Sequence, residues 1–218
     1  MYPVPPVVIN NEIINEITEI KFLGVTVEQH LHWRPHIESA KATIAKQCGI
    51  LYLVRNSLDQ QSLLLIYYSL IYPSLTYCLA VWGGASSTAL NSLVIAQKRV
   101  VRNLAGLRRR DHTHDTFKTL KILKFHDIIA QTSATFVYKI LHSYIDSENY
   151  FTPQANPFRT RNANLTLPLV SSSQSQSPIS YRGAQIYNQL PSEVKDIHSL
   201  YGFKMAVKSK LLASYANE

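Results

Sequence analysis

The 218-residue chain is 46% hydrophobic and 17% charged, a balance that excludes wholesale disorder and suits one full domain with a smaller appendage. Its 22 Lys and Arg against 14 Asp and Glu give a formal net charge of +8, which favours polyanionic partners through long-range attraction and counterion release. Two cysteines, Cys48 and Cys78, exclude a disulfide framework and suit a reducing, intracellular setting.

Tyr2-Pro3-Val4-Pro5-Pro6 has no basic region ahead of an apolar run, which argues against a secretory signal. Val7-Val8-Ile9, the turn-prone Asn10-Asn11 pair and Ile13-Ile14 predict a short hairpin. A second β-rich segment runs from Ile20 to Val27, with Gly24 marking a bend. The period turns helical from Trp33, where Ile37, Ala40, Ile44, Cys48, Leu51 and Val54 recur every three to four residues and Pro35 sits at a helix start.

Asp59 is placed to cap the next helix, through Leu63, Ile66, Tyr67 and Leu70, with Pro73 as its stop. Ser74 is expected to cap a further short helix through Trp82, closed by Gly83-Gly84. The apolar run Leu63 to Trp82 approaches membrane-spanning length, but Pro73 and its many hydroxyls favour a soluble helix pair, and no membrane partner is expected. Leu90, Leu93, Val94, Gln97, Val100, Val101 and Leu104 form an amphipathic stripe ending at Gly106. Helices over Thr113–Leu123 and Asp127–Tyr144 complete the set.

Composition shifts after Glu148: no acid occurs from Asn149 to Ser192, five prolines interrupt the stretch, and Ser171 to Ser177 has the low complexity of a flexible linker. A last helix is expected over Ser199–Ala213. The fold class is therefore mainly α: a β-hairpin segment (1–30), a helical domain (31–148), a Pro/Ser-rich basic linker (149–192) and a C-terminal helix (193–218).

Polymerases and many nucleases need clustered carboxylates, because divalent metals demand hard oxygen ligands. Here Asp59, Asp111, Asp115, Asp127, Asp146 and Asp196 are scattered, so no catalytic residue, metal or cofactor is expected of the chain. His112 and His114 flank Thr113 beside Asp115, but diverge at a helix start and lack a cysteine cluster, so capping and surface polarity explain them better than zinc. The sharper signal is Lys98, Arg99, Arg102, Arg108, Arg109 and Arg110, six cations without an intervening acid. Arginine forks match phosphate oxygens bidentately, which suits a backbone clamp for nucleic acid, although helix C-termini attract cations in any case.

Several stretches in order resemble the region after the polymerase core of non-LTR (jockey-like) retrotransposon reverse transcriptases. They are Lys21-Phe22-Leu23-Gly24-Val25, Leu31-His32-Trp33-Arg34-Pro35-His36-Ile37, Ile66-Tyr67-Tyr68-Ser69-Leu70-Ile71-Tyr72-Pro73, Leu75-Thr76-Tyr77 with Val81-Trp82-Gly83, Gln97-Lys98-Arg99 to Arg102, and Arg110-Asp111-His112-Thr113. Tyr181-Arg182-Gly183 and Asn188-Gln189-Leu190-Pro191 follow. The resemblance implies a palm-edge hairpin with Phe22, Leu23 and Gly24 in a primer-grip-like position, then a thumb-like helical bundle holding template–primer nucleic acid, with the rest of the palm and fingers as a further partner. The family's Tyr-x-Asp-Asp motif and its earlier Asp are expected ahead of residue 1. The implied reading is a non-catalytic reverse transcriptase fragment whose parent enzyme would use magnesium. Competing readings are a helical module binding RNA or protein through the tyrosine-rich helices, an enzyme built on His112, His114 and Asp115, and a decayed element without function.

Overall fold

Two antiparallel hairpins open the chain. In the first, β1 (Val7–Ile9) pairs with β2 (Glu12–Ile14), placing Val8 opposite Ile13, and Asn10 takes the left-handed conformation that a two-residue turn demands. In the second, β3 (Glu19–Phe22) pairs with β4 (Val25–Glu28) across a turn in which both Leu23 and Gly24 have positive φ, 46° and 81°. Glycine accepts that geometry without cost, whereas leucine does not. The computed structural model describes residues 7–10, 12–147, 150–153, 164–169 and 178–215; Asn11 and the serine-rich run 171–177 lie outside them.

Glu28 ends β4 by accepting the Arg34 amide at 3.2 Å, and Pro35 lies in the first turn of α1 (Arg34–Val54). This helix buries Ile37, Ile44, Cys48 and Leu51 on one face, as their spacing predicts. Asp59 caps α2 (Gln60–Ile66) by accepting from the Ser62 amide at 3.0 Å.

Pro73 does not end the helix. A π-turn over Tyr67–Ile71 widens the spiral, with the Tyr72 amide bonding to the Tyr67 carbonyl, and α3 (Tyr72–Thr76) continues with Pro73 in its first turn. The wider turn receives the proline in a new first turn, where a missing N–H costs nothing. Ser74 is likewise not an N-cap; its hydroxyl donates to the Leu70 carbonyl and accepts from Gln47. The break falls later, at Cys78, whose φ of 50° reverses the chain into α4 (Leu79–Trp82). Gly83 then stops that helix, as expected.

Ser86 caps α5 (Ser87–Leu104) through the Ala89 amide, and Gly106 ends it with φ +65°. Then follow α6 (His114–Thr119) and α7 (Phe125–Leu141). Thr113 stands at the N-cap of α6 without a side-chain cap bond, while Asp111 instead ties the preceding loop by accepting from the Arg108 amide at 2.8 Å. Residues 179–188, inside the stretch read as linker, form α8 (Ile179–Asn188), followed by α9 (Ser192–Lys195) and the Ser199-capped α10 (Leu200–Ser214).

Two apolar clusters share α7 as a common wall. Its first half, with Phe125, Ile128 and Ile129, joins the core built on α1–α5 and Trp82. Its second half, with Ala134, Val137 and Tyr138, packs against Ala184, Tyr187, Phe203 and Val207 of α8 and α10. Trp82 is fully buried, stacks on Phe125, meets His36 edge-on at 5.3 Å and donates to the Tyr77 carbonyl at 2.7 Å. Emptying such a site costs on the order of 3–5 kcal/mol.

The later motifs lock the C-terminal helices onto the bundle. Arg182 donates to the Ala80 carbonyl at 3.0 Å, and burial draws its guanidinium down to about 10, still cationic at neutral pH. Gly183 lets α8 approach Val137 more closely than any side chain would permit. The Asn188 amide clamps the backbone of Leu165, accepting from its N–H at 2.8 Å and donating to its carbonyl at 2.9 Å. Tyr215, after α10, accepts from the Lys124 amide at 2.8 Å and donates to the Asp127 carboxylate. Mainly helical, with two short hairpins in front, the chain has the fold class its sequence predicts. No helix among the described residues is long and apolar enough to cross a membrane.

Candidate nucleic-acid interface

Between Asp59 and Asp111 the sequence contains no acidic residue, and α5 with its following loop carries every Lys and Arg of that interval. The stripe that buries Leu93, Gln97, Val100, Val101 and Leu104 leaves Lys98 and Arg99 exposed and Arg102 half-buried. Gly106 then turns the chain, so that Arg108, Arg109 and Arg110 follow in an exposed loop.

Packing of α5 against the C-terminal end of α1 makes a groove of about 890 Å³. Arg55, Arg99, Arg102, Arg108 and Arg109 line it, and no carboxylate does. Lys98 and Arg110 are exposed but lie outside its walls. Arg55, which pattern reading passed over, comes from the end of α1 and holds its guanidinium 4.3 Å from the centre of the Tyr52 ring. With Asp59 only four residues on, Arg55 carries no charge signal in the sequence, and nothing in the spacing joins it to residues 99–109.

The groove is held in shape by its floor. Asn103 donates from α5 to the Cys48 sulfur at 3.1 Å on α1. Burial pushes the Cys48 thiol up from its ordinary value, against the opposing pull of the Arg99 charge, so it stays protonated and inert. Arg102 Nε donates to the Asp111 carbonyl at 2.9 Å, which ties the arginine loop to the helix. The Asp111 carboxylate, outside the groove walls, is engaged by the Arg108 amide, so five arginines share walls that hold no acid, and an anion with several oxygens would relieve their repulsion while accepting forked hydrogen bonds.

Phe22, Leu23 and Gly24 occupy the tip of the second hairpin. Phe22 is 63% and Leu23 73% exposed, an unusual display of apolar surface. The Tyr77 hydroxyl donates to the Leu23 carbonyl at 2.5 Å, and its ring lies against Gly24, where an added Cβ would stand 3.4 Å from Cε1. The hairpin tip is thereby fastened to the helical body.

Among the described residues no three His, Cys, Asp or Glu side chains gather where they could hold a metal ion. His112 and His114 belong to no such group.

Fold and groove together define a basic, mainly helical module preceded by exposed β-hairpins. The chain is 31% identical over 146 residues to the RNA-directed DNA polymerase from mobile element jockey of Drosophila funebris, covering 66% of this chain. It is 31% identical over 126 residues, 56% of this chain, to the corresponding polymerase of Drosophila melanogaster. The resemblance carried by the motifs is thus real: the chain is similar to a region of a jockey-like non-LTR reverse transcriptase. It spans about 15% and 14% of the length of these two curated relatives. No family model matches the chain, and no solved structure matches it.

Proposed function

We propose that this chain is a thumb-like module of a jockey-type reverse transcriptase that grips template–primer duplex by its phosphates and adds no nucleotides itself. The observation that carries this reading is the groove lined by five arginines and no acid. Phosphate contacts of this kind position a duplex without reading its sequence. Phe22 and Leu23 at the hairpin tip would then lie toward the primer end, and the exposed apolar faces of Val8, Ile13 and Ile20 would seat against a polymerase palm. Catalytic carboxylates and their magnesium ions would be supplied by that palm, not by these 218 residues.

The test is fluorescence anisotropy with labelled RNA–DNA duplexes of unrelated sequence, together with a primer-extension assay on the purified chain. Equal affinities and no extension are expected. A preference of more than about tenfold for one sequence, equivalent to about 1.4 kcal/mol of base discrimination, would overturn the reading. So would primer extension by the isolated chain.

A further inference from the structure

A second cleft, of about 510 Å³, opens between the tyrosine-rich helix, α7 and α10, and it shares no residue with the arginine groove. Its construction begins with the π-turn. Because hydrogen bonds there run five residues back, Tyr67 and Tyr72 come toward one face together with Tyr68. Their ring centroids lie 5.1 Å (Tyr67–Tyr68), 5.6 Å (Tyr68–Tyr72) and 6.4 Å (Tyr67–Tyr72) apart. Tyr67 is fully buried behind the cleft, its hydroxyl accepting from Gln97 at 3.0 Å. Tyr68, 37% exposed, the half-buried Tyr72 and Tyr201, 74% exposed, present their rings toward solvent.

The charge of this cleft has one sign. Lys139, Lys204 and Lys208 line it, and no Asp or Glu does. Lys208 Nζ stands 5.2 Å from the Tyr68 ring centre and donates to its hydroxyl at 3.3 Å. Ring faces flanked by lysines are the chemistry by which unpaired nucleotides are held: a base stacks on the aromatic face and its phosphate pairs with an ammonium group. The volume suits one or two nucleotides and is too small for a duplex. An anionic acyl chain is the competing occupant, since Leu79, Ile122, Leu123, Phe136 and Met205 also line the walls, and competition with decanoate separates the two.

We propose that this cleft binds one or two unpaired nucleotides of a single strand, with one base against Tyr68 and Tyr72, a second against Tyr201, and the phosphates among Lys139, Lys204 and Lys208. The inference stands on the cleft alone and does not depend on the arginine groove holding duplex.

The experiment titrates a fluorescent oligouridylate and, separately, a blunt duplex into the intact chain and its variants. Tyr201→Ala and Lys204→Gln alter exposed positions, and Tyr68→Leu keeps an apolar filler where folding matters. Tyr68→Leu and Tyr201→Ala are each expected to weaken oligouridylate binding about tenfold, as loss of a stacked base does, while duplex binding is unchanged. Arg99→Gln with Arg109→Gln should weaken duplex binding and leave the single strand bound. The proposal is overturned if the tyrosine variants, with wild-type unfolding midpoints, bind oligouridylate normally. It is equally overturned if only the arginine variant loses the single strand, or if decanoate saturates the cleft and oligouridylate does not displace it.

Discussion

The Tyr77 hydroxyl donates a 2.5 Å hydrogen bond to the carbonyl of Leu23, fifty-four residues earlier and in the left-handed conformation at a hairpin tip. This bond joins the two-stranded β3–β4 unit, which is marginal by itself, to the helical body. It also holds leucine in a backbone region that costs about 1–2 kcal/mol for an L-residue. Tyr77→Phe should therefore speed amide exchange across β3 and β4 while lowering global stability by only about 0.5–1.5 kcal/mol. Leu23→Asn, which tolerates positive φ, should stabilise the chain by about 1 kcal/mol in urea unfolding.

Gln97 sits fully inside the apolar stripe of α5, donating to the Tyr67 hydroxyl at 3.0 Å and to the Leu123 carbonyl at 2.9 Å. Gln97→Leu preserves volume but strands both acceptors in the core. A loss of about 2–4 kcal/mol is expected. A double-mutant cycle with Tyr67→Phe should recover part of it, which denaturant midpoints would show.

Gly183→Ala would place a Cβ 2.9 Å from Val137 Cγ2, inside van der Waals contact. The α7–α8 interface must then separate, at about 1–3 kcal/mol. Val137→Ala in the same chain should restore most of that loss, measured by thermal unfolding.

His36 is buried edge-on to Trp82, and desolvation lowers its pKa below the ordinary imidazole value. The unfolded chain therefore takes up a proton near pH 6.5 that the folded chain resists. The stability that neutral His36 contributes is complete above about pH 6.5 and declines as pH falls below it. His36→Phe should flatten this acid limb in urea midpoints recorded across that range.

Local signals were legible and distant ones were not. The Asn10 turn, the Asp59 cap, the α5 stripe and the Gly106 stop each depend on neighbours a few residues away, and each stands where its pattern placed it. Pro73 misled because the π-turn before it absorbs the proline, a register change that no periodicity announces. The α8 helix hid within a proline-bearing stretch because its stability comes from Val137 and Ala80, far upstream, and not from its own propensity. Six cations were visible as a run around α5, yet the groove also takes Arg55 from another helix and leaves Lys98 and Arg110 outside. Membership in a groove is a property of helix packing, which spacing within one helix does not encode.

The most direct measurement is the salt dependence of duplex affinity, taken for the intact chain and for Arg55→Gln/Arg99→Gln/Arg109→Gln. If the groove grips phosphates, log Kobs falls steeply and linearly with log salt, and each neutralised contact shallows the slope by about 1. A folded triple variant with an unchanged slope and affinity would contradict the account.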